Sequence, residues 1–271
     1  MFAADDDTAL QHEHQRETDL AVRATGVAKT YASRLPFRNA VTVLDEATLE
    51  VKRGEIVGIM GENGSGKSTL MQILAGVLEY DAGDVIRGGT VGWCPQEPRL
   101  YDRLTVDETF ELFGSAYGMS QPEIEAASDW LADVLDFERF RDRQVRNLSG
   151  GNRQKVNLSV SLMHQPDLLL LDEPYTGFDW ETFLAFWDLT EELRERGVGV
   201  AIISHIISER DRFDVIYKLH RGHLHRAEAD DGETVTMEPT ADGVSCDRTA
   251  ADSHREQAAS SDQHVTDTEG H

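Results

Sequence analysis

The chain has 271 residues, 39% of them apolar, and a formal net charge of −24 at pH 7. That length supports one large domain or two small ones around a real core. It contains no run of about 18 apolar residues that could span a bilayer, and its acid excess disfavours nucleic-acid binding, which needs basic surface.

Residues 1–19 are polar, acidic and without period, so a disordered tail is expected there. Their start lacks the basic and apolar regions of a secretory signal. Leu20-Ala21-Val22-Arg23-Ala24 and Gly26 to Tyr31 read as short strands. A turn-like stretch from Ala32 to Ala40 leads to two more, Val41 to Leu44 and Ala47 to Val51. Together they predict an antiparallel patch ahead of an α/β core. The apolar run Ile56-Val57-Gly58-Ile59-Met60 follows, then Gly61-Glu62-Asn63-Gly64-Ser65-Gly66-Lys67-Ser68-Thr69, then the helical pattern Leu70, Ile73, Leu74, Val77.

Strand, glycine-rich turn and helix are the setting in which G-x-x-x-x-G-K-[ST] forms a phosphate-binding loop. The glycines permit backbone conformations that side chains forbid. The amide N–H groups then turn inward onto polyphosphate oxygens at the positive end of the helix. Lys67 supplies a point charge to the outer phosphates, and the Ser68 hydroxyl can ligate Mg²⁺.

Further strands are expected at 85–87 and 90–94, then a proline-bounded loop, Pro95-Gln96-Glu97-Pro98. Residues 105–146 read as mainly helical, and a helix is predicted over 150–163. Asp167 to Asp172 is a buried strand, 179–196 a helix ended by Gly197, and 199–204 and 213–219 are strands. Alternating buried strands and helices indicate a mostly parallel sheet with crossover helices. From residue 227 the chain is again acidic and polar, and 227–271 is expected to be a disordered tail. Cys94 and Cys246 lie far apart, the second in this tail, which argues against a disulfide and for a reducing compartment. His220, His223 and His225 lack a carboxylate or cysteine partner in sequence and fall in an apparent hairpin, so they are not read as a metal site.

Two more stretches carry chemistry. Leu168 to Leu171 deliver Asp172 and Glu173 to the end of a buried strand. An Asp there can hold Mg²⁺, mostly through water, and the next Glu can act as general base on the attacking water. Leu148-Ser149-Gly150-Gly151-Asn152-Arg153-Gln154-Lys155 places a capping serine before a helix whose first turn is glycine. That is a second anion site, which a single nucleotide held by the first loop would not need.

Leu-Ser-Gly-Gly-x-x-x-Lys between a phosphate loop and an acidic strand resembles the signature of the ATP-binding cassette (ABC) family. The resemblance covers residues 20–226, with a helical subdomain inserted at about 100–148. It implies a P-loop NTPase (RecA-like) core, an N-terminal antiparallel β subdomain, and ATP with Mg²⁺ as ligands. It further implies that Ser149, Gly150 and Gly151 of one subunit face the ATP held by the other. By the same resemblance Tyr31 stacks on adenine, Gln96 senses Mg²⁺ and water, Thr176-Gly177-Phe178-Asp179 forms a dimer-contact loop, and His205 senses the γ-phosphate. Asn152, Lys155, Thr176 and Phe178 depart from the commoner residues at their positions, while the key groups are kept. A homodimer or a pair with a similar subunit is implied, driving a separate membrane permease from the cytoplasmic face. Leu100, Tyr101 and Phe137 are candidate permease contacts, with core packing an equal possibility. The stretches 104–109 and 113–118 resemble daunorubicin-resistance ATPases, which points to export. Soluble relatives in DNA repair carry a long coiled coil, whereas only 81 residues separate Lys67 from Ser149 here. Those in translation usually carry two cassettes.

The acid excess extends into residues 20–227, and five lysines stand beside 21 arginines. That balance resembles proteins of haloarchaea. At molar salt the Debye length is about 3 Å, so the self-repulsion is screened.

Overall fold

The computed structural model describes residues 19–32, 40–204 and 210–227, together with the backbone of two short strands at 237–240 and 243–246. The tail segments 1–18, 228–236 and 247–271 and the turn-like stretch 33–39 lie outside the described residues, as does His205.

The first sheet is antiparallel. Strands β1 (Leu20–Tyr31), β2 (Val41–Lys52) and β4 (Ala82–Arg87) lie in the order β2-β1-β4. Sequence predicts four short strands in 20–51, and the structure has two long ones. The interruptions are irregularities within each strand: the register slips between Ala24 and Val27, where Gly26 takes φ +59°, and Glu46 takes φ +52° in β2. Both are left-handed conformations that look like turns in sequence, and a bulge absorbs them without ending the pairing.

The second sheet has six strands in the order β5-β6-β7-β3-β8-β9. Here β3 is Ile56–Met60, β5 Val91–Cys94, β6 Leu168–Asp172, β7 Gly199–Ile203, β8 Val215–His220 and β9 His223–Arg226. The first five run parallel and β9 returns antiparallel. Every residue of β6 and β7 is buried, as a parallel sheet covered on both faces requires.

The two-residue alternation of the strands divides the core. Ile56, Leu169, Leu171, Val200 and Ile202 face one cluster, and Val57, Ile59, Leu168, Leu170, Ala201 and Ile203 the other. Helix α1 (Lys67–Leu74) and the antiparallel sheet cover the second face. Helices α2 (Val106–Ala116), α3 (Gln121–Val134), α4 (Gly150–Leu162) and α5 (Trp180–Glu195) build the first. Burying each of these leucines stabilises the fold by about 1.5–3 kcal/mol.

The segment between β5 and α4 is held by local chemistry. Thr105 and Glu108 form a capping box on α2, and Ser120 and Glu123 another on α3. Arg141 gathers the Asp107, Asp129 and Glu138 carboxylates. Its hydrogen bonds to Asp107 and Asp129 outweigh burial and raise its already high pKa. Phe137, a candidate surface residue from sequence, is completely buried and stacks on Phe110 at 6.1 Å. Leu100 is partly buried against the same cluster, and Tyr101 is exposed.

In the tail, backbone strands β10 (Met237–Thr240) and β11 (Gly243–Cys246) pair antiparallel within a stretch read from sequence as disordered. At the domain edges, the Asp19 carbonyl accepts from the Arg53 N–H and the Ala227 N–H donates to Ile216.

Candidate active site

The parallel order brings the ends of β5, β6 and β3 to one edge of the sheet, with β7 between the last two, and the loops leaving them define a cleft of about 320 Å³. Asn63, Gly64, Gly66, Lys67, Ser68 and Thr69 line it, with Gln96, Glu173 and Val43. Val43 is the residue sequence reasoning missed. Gly66, at φ +107°, caps α1 and passes so close to β2 that an added Cβ would lie 2.7 Å from Val43 Cγ1 and 2.9 Å from its carbonyl. The glycine is needed for conformation and for space. Strand β2 looks in sequence like simple sheet, and only the fold makes it the wall of this loop.

Lys67 is buried, and its Nζ donates to the carbonyls of Gly61 and Glu62 at 2.7 and 3.0 Å. The loop is thus wrapped around its own cation. Burial lowers the Lys67 pKa, while the Glu173 and Asp172 carboxylates pull it back up. Helix α1 has no acidic residue in its first turn, which leaves the positive end of its dipole uncompensated. The buried Ser65 hydroxyl has no hydrogen-bond partner. An orphaned hydroxyl inside a cationic loop suits a phosphate, whose oxygens would satisfy it.

Asp172 ends β6 at 4% exposure, and Glu173 follows at φ +50°. A left-handed glutamate is uncommon and has to be held there. Its N–H donates to the Ile203 carbonyl at 3.0 Å, and its carbonyl accepts from Thr176 Oγ1 at 3.1 Å. Thr176, one of the sequence departures, thereby braces the turn. Gln96 Nε2 donates to Glu173 Oε2 at 3.1 Å, so the two side chains assigned to water and metal meet across the cleft. Among the described residues no group of three His, Cys, Asp or Glu side chains could hold a metal. The donors at this site, Ser68, Gln96 and Asp172, fit Mg²⁺ only as the ion usually binds, with few protein ligands and the rest from phosphate and water.

Tyr31, 43% exposed, stands beside the loop with its hydroxyl 3.5 Å from Thr69 Oγ1. Lys29 Nζ lies over its ring, 5.8 Å from the centroid.

Ser149, Gly150 and Gly151 do not line this cleft. The Ser149 side chain accepts from the Asn152 N–H and caps α4, which also lacks acid in its first turn. An added Cβ at Gly150 would meet nothing within 4 Å, whereas at Gly151 it would lie 2.2 Å from the Gly177 carbonyl. One glycine faces open space and the other lets α4 pack on the loop after Glu173. Asp179 in that loop caps α5 through the Thr182 N–H at 2.8 Å, and hydrogen bonds from Thr182 hold its carboxyl below the usual range.

Comparison with known proteins agrees with this geometry. The ABC transporter family profile matches residues 44–176. An uncharacterized ABC transporter ATP-binding protein of Methanocaldococcus jannaschii is 36% identical over 181 residues, 66% of this chain and 69% of the relative. The chain belongs to the ABC ATPase family. The doxorubicin resistance ATP-binding protein DrrA of Mycobacterium tuberculosis is 29% identical over 208 residues, 72% of this chain and 61% of DrrA. A dimeric cassette in a post-hydrolysis state with ADP and Pi superposes with a TM-score of 0.70 at 28% identity, covering 78% of this chain and 100% of that one. This cassette therefore has the P-loop NTPase fold expected from its sequence, and it is an ATPase. Among its described residues no helix is long and apolar enough to cross a membrane.

Proposed function

We propose that this cassette is the ATP-hydrolysing subunit of an exporter, closing head to tail with a second cassette around two ATP molecules. The observation that carries the reading is the separation of the two acid-free, glycine-rich helix starts. The 61–69 loop opens on a cleft that Ser149, Gly150 and Gly151 of the same chain do not line. A second subunit supplies the missing wall, and the dimeric form of the solved neighbour supports this arrangement.

In the closed state the amides of Gly61 to Thr69 cradle the phosphates, and Lys67 exchanges its carbonyl partners for phosphate oxygens. Tyr31 stacks on the base. Ser68, Gln96 and Asp172 would hold Mg²⁺ together with the phosphates, and the ion would supply neutralising charge for phosphoryl transfer. Glu173 accepts the proton of the attacking water, and Gln96 orients its carboxylate. His205, two residues beyond β7, holds the γ-phosphate side of the site.

The permease docks near exposed Tyr101, and the cassette works on the cytoplasmic face of the membrane. Export is supported by the likeness to DrrA. A haloarchaeal source is supported by the net charge of −24 and the scarcity of lysine.

Glu173→Gln tests the chemistry. Steady-state ATP hydrolysis should fall by at least ~100-fold, while size exclusion should show a dimer that depends on ATP. Unchanged turnover would remove the general base from this residue. Purification from membranes in molar salt should recover an integral-membrane companion with the cassette, and recovery with ribosomes or DNA instead would refute the transporter reading.

A further inference from the structure

Helix α4 also grips the loop that joins β5 to α2, at both of its ends. At the near end, Asn157, 5% exposed, donates from Nδ2 to the Pro95 carbonyl at 2.9 Å and to Cys94 Sγ at 3.1 Å. Gln154 Nε2, also buried, lies 3.7 Å from the same sulfur. At the far end, one helical turn back along α4, Arg153 Nη2 lies 2.7 Å from Asp102 Oδ1. The Asp102 carbonyl accepts from the Arg146 N–H at 3.1 Å. Between these anchors stand Gln96, which reaches Glu173, and Tyr101, 60% exposed. At its own start α4 is packed on Gly177 with no room for a single added carbon.

A buried amide donor has to be paired, so the Asn157 end is fixed by desolvation. The Arg153–Asp102 pair is different. Its side chains are 32% and 59% exposed, and such pairs add little to stability. With the Arg146 N–H bond to the Asp102 carbonyl, the pair ties residue 102 to a set place along α4.

We infer that Arg153 is a positioning residue for ATP turnover, locking the 95–102 loop to the helix that carries Ser149-Gly150-Gly151. A push on Tyr101 then reaches Gln96 in the chain's own site and the signature glycines in the partner's site in one movement. The inference rests on the shared-site reading above. It adds that the two half-sites of each chain move together because α4 holds both, with Asn157 as the fixed end and Arg153 as the adjustable one.

The test is charge exchange in the full chain. Arg153→Asp and Asp102→Arg should each lower kcat about fivefold, the upper range for one exposed pair, with KM for ATP and the thermal midpoint unchanged. The double variant, with the pair reversed, should recover to within about twofold. In the Glu173→Gln background, each single variant should need about fivefold more protein to form the ATP-dependent dimer, and the double variant should not. A purely structural staple would move the thermal midpoint and leave kcat in place. Single variants that turn over like the parent, or a double variant that recovers nothing, would overturn this inference alone. Failure of the Glu173→Gln chain to form any ATP-dependent dimer would overturn the shared-site reading and this inference with it.

Discussion

Helices α1 and α4 begin alike and stand in opposite surroundings. Both start at glycines and neither carries an acid in its first turn, whereas α2, α3 and α5 each do. A carboxylate at a helix start is stabilising by typically 0.3–1 kcal/mol, so two helices forgo that gain and keep a positive end free. At α1 the chain itself supplies the surroundings on several sides: Val43 behind the loop, Lys67 within it, Gln96 and Glu173 opposite. At α4 the open side of Gly150 meets nothing within 4 Å. On the shared-site proposal, the same local design would serve one chain's own nucleotide at α1 and a partner's nucleotide at α4.

The largest effect is expected at α1. Lys67→Ala removes the phosphate charge and the two hydrogen bonds that gather the loop. ATP binding should weaken and hydrolysis fall by at least ~100-fold, measured by nucleotide titration and phosphate release.

The sharpest test of the contrast is Gly150→Asp. The new side chain has space, and its charge suits a helix N-terminus, so the thermal midpoint should hold or rise slightly. The same charge repels a partner's phosphates. Hydrolysis should fall by at least about tenfold while ATP binding to the monomer stays within about twofold. Normal hydrolysis would mean that α4 faces no nucleotide.

The smallest effect is expected at Tyr31. Tyr31→Ala should raise KM for ATP about tenfold through lost stacking, with little change in kcat.

The two helix starts were also the most legible parts of the sequence, because their chemistry is local. A phosphate loop needs its glycines, lysine and hydroxyl within nine consecutive residues, Gly61 to Thr69, and a glycine-started helix is written in three. The buried strands β6 and β7 were equally plain, being continuous apolar runs. What sequence did not reveal depends on contacts between distant segments. Phe137 reads equally as a surface or a core aromatic until Phe110 is brought against it. Val43 reads as sheet until Gly66 packs on it. Asn157 and Arg153 sit in a helix whose residues 154–162 are all buried, and polar residues in so enclosed a helix were a signal that partners awaited them. Their partners lie 62 and 51 residues away. Gly26 and Glu46 misled in the other direction, since a left-handed residue inside a bulged strand looks the same in sequence as one ending it.

The place of β3 in the sheet has a consequence for the birth of the protein. Ile56 pairs with Val200 on one side and Val57 with Val215 on the other, so the strand that feeds the phosphate loop has no neighbour in the sheet from the first half of the chain. During synthesis from the N-terminus it must wait for more than half the polypeptide before either flank can form. Closing separations of that size is slow. The nucleotide cradle is encoded early and assembled late, and until residues 199–220 emerge, β3 is an apolar strand with two open edges, the kind of segment most in need of protection while the chain is being made.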